Sequence, residues 1–187
     1  IDAIAKNPEK ATWENTILAL ENSGRLLKKS RRVFSNLNSA NTNAELQAMD
    51  LELAPKLSAH QDDIYMNQAL FNRIAAIYEP DKNPEMPISF SKSYPEKYRL
   101  LENLFKDFKR NGAKLSDADK ARLKEINSEL SLLSVNFGQN VLADTNAFEY
   151  YVQNEEELKG LPEAVIETAA SKAKEKGKED QWLFTVH

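Results

Sequence analysis

Apolar side chains recur at intervals of three and four residues along almost the whole chain, a spacing that permits little besides helices that bury one face. Thr12 is placed to cap a first long helix over about 13–38, in which Trp13, Ile17, Leu20, Leu27, Phe34 and Leu37 turn inward and Gly24 is carried at a local cost. The polar turn Ser39–Asn43 leads to a second helix over 43–66 with Leu46, Met49, Leu53, Leu57, His60 and Ile64 on one side. Pro55 lies inside it and predicts a kink, since proline removes one backbone donor and crowds the preceding turn. Asn67 caps a third helix over 68–78 (Leu70, Phe71, Ile74, Ile77), and Pro95 opens a fourth over 95–111 that Gly112 stops. Tyr98, Leu101, Leu104, Phe105 and Phe108 form its inner face. Ser116 through Asp119 is a capping box with Asp in place of the usual Glu. It starts a helix over 117–146, about 45 Å long at 1.5 Å per residue, whose stripe Leu123, Ile126, Leu130, Leu133, Phe137 and Val141 demands long helical partners. Between the third and fourth helices, Glu79–Ser93 holds Pro80, Pro84 and Pro87 without helical period, and reads as an exposed connection, a flexible insertion or a functional lid.

The pattern changes at Ala147. Phe148–Val152 alternates and is aromatic and β-branched, as a strand should be, and Trp182–Val186 reads likewise. Between them Pro162 opens a helix through Val165, Ile166, Ala169, Ala170 and Ala173 that Gly177 stops. Strand, helix, strand in that space has the shape of a βαβ crossover with parallel strands. Two strands alone make no stable sheet, so these lack neighbours. The expected architecture is mainly α: a helical domain over 1–146 and a strand–helix–strand appendage over 147–187. A length of 187 residues suits one domain with such an appendage. Five glycines disfavour both turn-rich β folds and phosphate loops. The absence of cysteine excludes disulfide scaffolds, thiol catalysis and thiolate metal sites. A formal charge of −4 argues against a dedicated nucleic-acid binder, and the longest strictly apolar run, Ile74–Tyr78, spans no bilayer. The first residue is Ile and no signal-like segment follows it, so the chain reads as a piece of something larger.

The residues that could carry chemistry are sparse. His60 and His187 are the only histidines. His60 has Asp63 one turn on, which is too few ligands for catalytic zinc, and Gln61 follows it where an H-E-x-x-H motif needs Glu. The favoured reading of His60 is a helix histidine half-buried beside Leu57 and Ile64. Arg25, Lys28, Lys29 and Arg32 share one helix face opposite Leu27 and Phe34, with Arg31 nearby. That face is a candidate phosphate patch, but an ordinary solvated surface is favoured. Lys172, Lys174, Lys176 and Lys178 complement a helix C-terminus. Asp62-Asp63, Asp117 with Asp119, and Glu155–Glu157 are paired carboxylates in polar settings expected to be exposed. Acid–base work needs a desolvated carboxyl with a partner. No serine sits in an activating context. Tyr65, Tyr78, Tyr98 and the phenylalanines are expected to pack in the core. The residues by themselves therefore assign no catalytic and no metal-binding position, and leave any substrate-binding residue unidentified.

Asn7-Pro8-Glu9-Lys10-Ala11-Thr12-Trp13-Glu14-Asn15 and its continuation to Gly24 resemble the opening of the thimet oligopeptidase-like zinc metallopeptidases. Residues 34–43 (Phe-Ser-Asn-Leu-Asn-Ser-Ala-Asn-Thr-Asn) and 54–67 (Ala-Pro-Lys-Leu-Ser-Ala-His-Gln-Asp-Asp-Ile-Tyr-Met-Asn) look like the bacterial peptidyl-dipeptidase (dipeptidyl carboxypeptidase) branch rather than oligopeptidase A. Residues 112–120, 123–127 and 136–141 agree in the same order. The resemblance implies a mostly helical protein whose two halves enclose a substrate channel. Its zinc is held by H-E-x-x-H and a downstream Glu, and an open zinc position activates water for peptide hydrolysis. None of those ligands maps onto these residues.

By that resemblance the chain is the N-terminal helical part of a peptidyl-dipeptidase that removes dipeptides from the C-termini of short peptides. It forms a wall of the channel, is inactive alone, and holds no zinc, while the parent binds zinc. The implied partners are short peptides and the missing C-terminal catalytic half, which would complete the 147–187 element; nucleic acid and membrane are not expected. The exposed strand edges predict self-association of the fragment. The implied compartment is the cytoplasm, with the periplasm as the alternative. The competing reading is a stand-alone helical module that binds peptides or proteins without turnover.

Overall fold

The computed structural model describes residues 1–79 and 93–186. The connection read at Glu79–Ser93 therefore lies, from residue 80 to residue 92, outside the described residues, as does His187. The chain divides into two compact units, Ile1–Val135 and Asn136–His187.

The first unit begins with a short helix α1 (Asp2–Ala5) and the Asn7-Pro8 turn, where Asn7 Oδ1 accepts the Glu9 amide at 2.9 Å. Thr12 caps the next element as its sequence suggests. Its hydroxyl accepts the Asn15 amide at 3.1 Å while Asn15 Oδ1 accepts the Thr12 amide at 2.9 Å, a reciprocal capping box. The single helix expected over 13–38 is not formed. Trp13–Leu18 is wound as a π-helix that runs into a short α2 (Ala19–Glu21), and the chain turns at Gly24 before α3 (Arg25–Ala40). Gly24 has φ +64°, a left-handed conformation that glycine adopts freely, so it separates two helices instead of sitting inside one.

α4 (Ala44–Tyr65) runs through Pro55 and is capped by Asn43, whose Oδ1 accepts the Leu46 amide at 2.9 Å. α5 (Gln68–Tyr78), capped by Asn67, buries Leu70, Phe71, Ile74 and Ile77, the four positions its period marks. α6 (Pro95–Arg110) carries proline in its first turn and ends at Gly112. There the Ala113 amide reaches back to the Phe108 carbonyl at 3.0 Å, and a Cβ added at Gly112 would meet Leu123 at 3.0 Å. The core joins Ile17, Leu20, Leu70, Phe71, Ile74, Ile77, Leu101, Phe108 and Ala113. Its aromatic layer is tight: Tyr78 stacks on Phe105 with centroids 4.3 Å apart, and Tyr65 tilts against Phe108 at 4.9 Å.

α7 (Asp117–Ala147) opens on the predicted cap, with the Ser116 hydroxyl accepting the Asp119 amide at 3.2 Å and donating to the Asp119 carboxylate at 2.7 Å. The inward faces expected of α3 and α7 are corrected by the structure. Leu27 and Leu37 are 41% and 54% exposed, and Leu130, Leu133 and Phe137 are 54%, 55% and 71% exposed. Neither helix buries a residue. Periodicity correctly shows these faces to be apolar. It carries no statement about which neighbour covers them.

In the second unit, strand β1 (Tyr150–Val152), a 3₁₀ turn (Glu155–Leu158), helix α8 (Glu163–Glu175) and strand β2 (Trp182–Phe184) succeed the end of α7. The strands pair antiparallel, Tyr151 opposite Leu183, which corrects the parallel crossover expected from order alone. The turns at both ends of α8 return the chain in the opposite sense. Val152, Leu158, Ala169, Ala173 and Leu183 make the small core between sheet and helix.

Candidate functional site

Three clusters of polar side chains stand out in the described residues. The first is built on Arg73, at an inward-leaning position of α5 beside Leu70 and Ile74. Its guanidinium donates to the carbonyls of Asn7 (2.8 Å) and Glu9 (2.9 Å), to Thr16 Oγ1 (3.2 Å) and to Asn15 Oδ1 (2.8 Å). Asn15 completes the knot by donating to the Lys10 carbonyl at 2.9 Å. The fork of a guanidinium satisfies four acceptors at once, so one residue of α5 fixes the whole Asn7–Thr16 segment. Its geometry is structural. The sequence offers one signal for it, a lone arginine within the buried period of α5.

The second cluster ties α4 to α7. Asp62 is 6% exposed and accepts from Asn127 Nδ2 at 2.7 Å, leaving Oδ2 without a protein partner. Asp63 beside it is exposed and paired with Lys124 at 2.6 Å. The expectation that both lie in solvent thus fails for Asp62, which a helix of this pitch turns toward α7. His60 is exposed, not half-buried, although Leu57 and Ile64 do flank it. With Asp63 held by Lys124, His60 gains no acidic companion. Among the described residues no three His, Cys, Asp or Glu side chains converge on a point where an ion could sit. These residues do not fit a zinc site.

The third cluster is a trough between α3 and α4. It consists of two adjoining cavities of about 420 and 480 Å³ that share Arg31, Leu57 and Gln61. One has Phe34, Asn38, Asp50 and Ser131 in its wall; the other has Leu27, Lys28, His60 and Ile64. Asp50 is already engaged by Asn38 Nδ2 at 3.0 Å. Arg25, Lys28, Lys29, Arg31 and Arg32 are all exposed, and none has an ion pair or side-chain hydrogen bond among the described residues. Sequence places these cations on a helix face; that they border a concavity only the packing of α3 against α4 reveals.

Several other polar groups are engaged locally. Asp119 caps α7, and Lys176 pairs with Glu149 at 2.7 Å while the Tyr151 hydroxyl donates to the same carboxylate at 2.7 Å. Those two hydrogen bonds, from Lys176 first, hold the Glu149 carboxyl below its ordinary pKa, and Lys176 is raised in return. Lys178 lies 3.5 Å from the centroid of the Tyr151 ring. Burial raises Tyr65 and Tyr78, as expected of phenols in a core. Among the described residues no helix is long and apolar enough to cross a membrane.

No family model matches the chain. Over 186 residues it is 38% identical to dipeptidyl carboxypeptidase of Escherichia coli (strain K12) and 37% identical to that of Salmonella typhimurium, each match taking in all of this chain and 26% of the relative. Oligopeptidase A of Haemophilus influenzae is 32% identical over 177 residues, 95% of this chain and 25% of the relative. The chain thus spans about a quarter of the length of the curated relatives it matches.

Proposed function

We propose, from a chain that is a member of the family uniting dipeptidyl carboxypeptidase with oligopeptidase A, that these residues are the N-terminal, non-catalytic helical part of a longer zinc-dependent peptidyl-dipeptidase. The parent releases dipeptides from the C-termini of short peptides in the cytoplasm, and this part forms one wall of its substrate channel. The observation that carries the reading is the 38% identity sustained over the full chain against only 26% of the relative. A second observation supports it. Leu130 and Leu133 of α7, and Leu26 and Val33 of α3, are apolar positions at helical spacing left 54%, 55%, 78% and 55% exposed, as surfaces completed by further chain would be.

Metal and general base then belong to the remaining three-quarters of the parent, and residues 147–187 form the element that the catalytic part completes. A stand-alone peptide-binding module would need its own explanation for those uncovered faces. A chimera tests the reading: these 187 residues replace the aligned quarter of the Escherichia coli dipeptidyl carboxypeptidase. It should release dipeptides from an N-blocked tetrapeptide and lose that activity to a chelator. A chimera that folds and binds zinc yet releases no dipeptide refutes it.

A further inference from the structure

The trough between α3 and α4 is one-sided in its chemistry. Lys28, Arg31 and His60 line it, and the one carboxylate among its described lining residues, Asp50, is turned to Asn38. α3 contains five cations and no acidic residue, although the whole chain carries a formal charge of −4. Some cations elsewhere in the molecule find acids at short range, as Lys56 does with Glu52, Lys106 with Glu102 and Lys124 with Asp63. On α3 they find none among the described residues, which leaves their charge available to an anionic occupant.

The floor narrows the class of occupant. Leu27, Leu57 and Ile64 put aliphatic surface along it, Phe34 and Tyr65 add aromatic rings, and Ser35, Ser58 and Gln61 add hydroxyl and amide groups. A nucleic-acid backbone is disfavoured by the acidic character of the whole chain, which carries a formal charge of −4. A peptide needs this combination: apolar pockets for alternate side chains, hydrogen-bonding groups for its amides, and cations for its carboxylates. A guanidinium at the junction of the two cavities is placed to take a carboxylate with two parallel hydrogen bonds.

We propose that the α3–α4 trough is a binding groove for acidic peptide segments, with Arg31 as the anchor for a carboxylate and Lys28 supporting it. The inference is independent of the peptidase reading, because binding is measured on this chain without turnover. The probe is a fluorescein-labelled peptide, Glu-Leu-Asp-Leu with a free C-terminus, followed by anisotropy on the 187-residue chain. It should bind at least ~10-fold more tightly than its amidated Gln-Leu-Asn-Leu counterpart. The double variant Lys28→Glu with Arg31→Glu should weaken binding ~10-fold or more, and Lys28→Gln with Arg31→Gln should weaken it by a smaller factor. Arg25→Glu with Lys29→Glu makes the same change in net charge away from the trough and should alter affinity less than ~2-fold. Equal losses in the two Glu pairs would reduce the effect to bulk charge and overturn the groove. So would failure of the acidic peptide to bind, or its displacement by lower concentrations of a uridine decanucleotide. Unchanged circular dichroism certifies each variant, since all four side chains are exposed.

Discussion

Removing the guanidinium of Arg73 should loosen the Asn7–Thr16 segment from the helical core. Arg73→Ala deletes hydrogen bonds to the Asn7 and Glu9 carbonyls, Thr16 Oγ1 and Asn15 Oδ1. Hydrogen bonds involving a charged group contribute about 1.5–3 kcal/mol each when buried. The full sum does not apply here. The Glu9 carbonyl is near solvent and recovers water, and Asn15 Oδ1 keeps the Thr12 amide and Thr16 hydroxyl as donors. The uncompensated loss is the fully buried Thr16 and the Asn7 carbonyl, together about 2–4 kcal/mol. At about 3 °C per kcal/mol for a chain of this size, Tm should fall by roughly 6–12 °C. Trp13 starts the π-helix that the knot holds, so its emission in a Trp182→Phe background reports on the segment directly. In Arg73→Ala it should shift to the red, and limited proteolysis should cut first within residues 1–15. Arg73→Lys, which offers a single ammonium in place of the fork, should fall between the two. A melting point within about 1 °C of the parent, with unchanged Trp13 emission, would refute the assignment of this contact as the anchor of the segment.

Burial and charge set the remaining expectations. Ile74→Ala removes a fully buried core side chain and should cost about 2–5 kcal/mol by denaturant titration. Leu130→Ser and Leu133→Ser, in contrast, should change the stability of this chain by less than about 0.5 kcal/mol, because both side chains are already in solvent. In the second unit the depressed Glu149 carboxyl gives stability that is present above its unfolded pKa and lost as pH falls through the lower folded value. The raised Lys176 gives stability present below its unfolded pKa and lost as pH rises through its folded value. The protection of β1 amides relative to their intrinsic exchange rates should therefore fall toward acidic and toward strongly alkaline pH, and Glu149→Gln should remove the acidic limb.

Most helix limits of the structure are written locally in the chain. Asn43, Asn67 and Ser116 accept amides from their own first turns, and Gly112 supplies a left-handed stop, so sequence locates α4 through α7 within a residue or two. Gly24 defeats the same reasoning because its flanking apolar residues continue at helical spacing on either side of the turn. Strand direction is equally hidden: Phe148–Val152 and Trp182–Val186 reveal β character, but the sense of pairing depends on how the turns around α8 steer the chain. At the candidate site the cations of α3 are visible in the sequence and the concavity is not. A trough is made by two helices, and residues 31 and 57 lie far apart along the chain. Asp62 escapes sequence reasoning because a carboxylate pair looks solvated when written in a line, whereas successive residues on a helix point 100° apart.

The composition of α3 sets its own helix against it. Gly24 provides no side chain to cap the first turn, no acidic group lies there, and Arg25, Lys28 and Lys29 crowd the end where the backbone already carries partial positive charge. Pairs such as Arg25 with Lys29, and Lys28 with Arg32, repel at one-turn spacing. Simple salt should consequently slow amide exchange in α3 by screening this repulsion, while the same ions loosen the exposed Lys56–Glu52 bridge of α4. Neighbouring helices would respond to ionic strength with opposite sign.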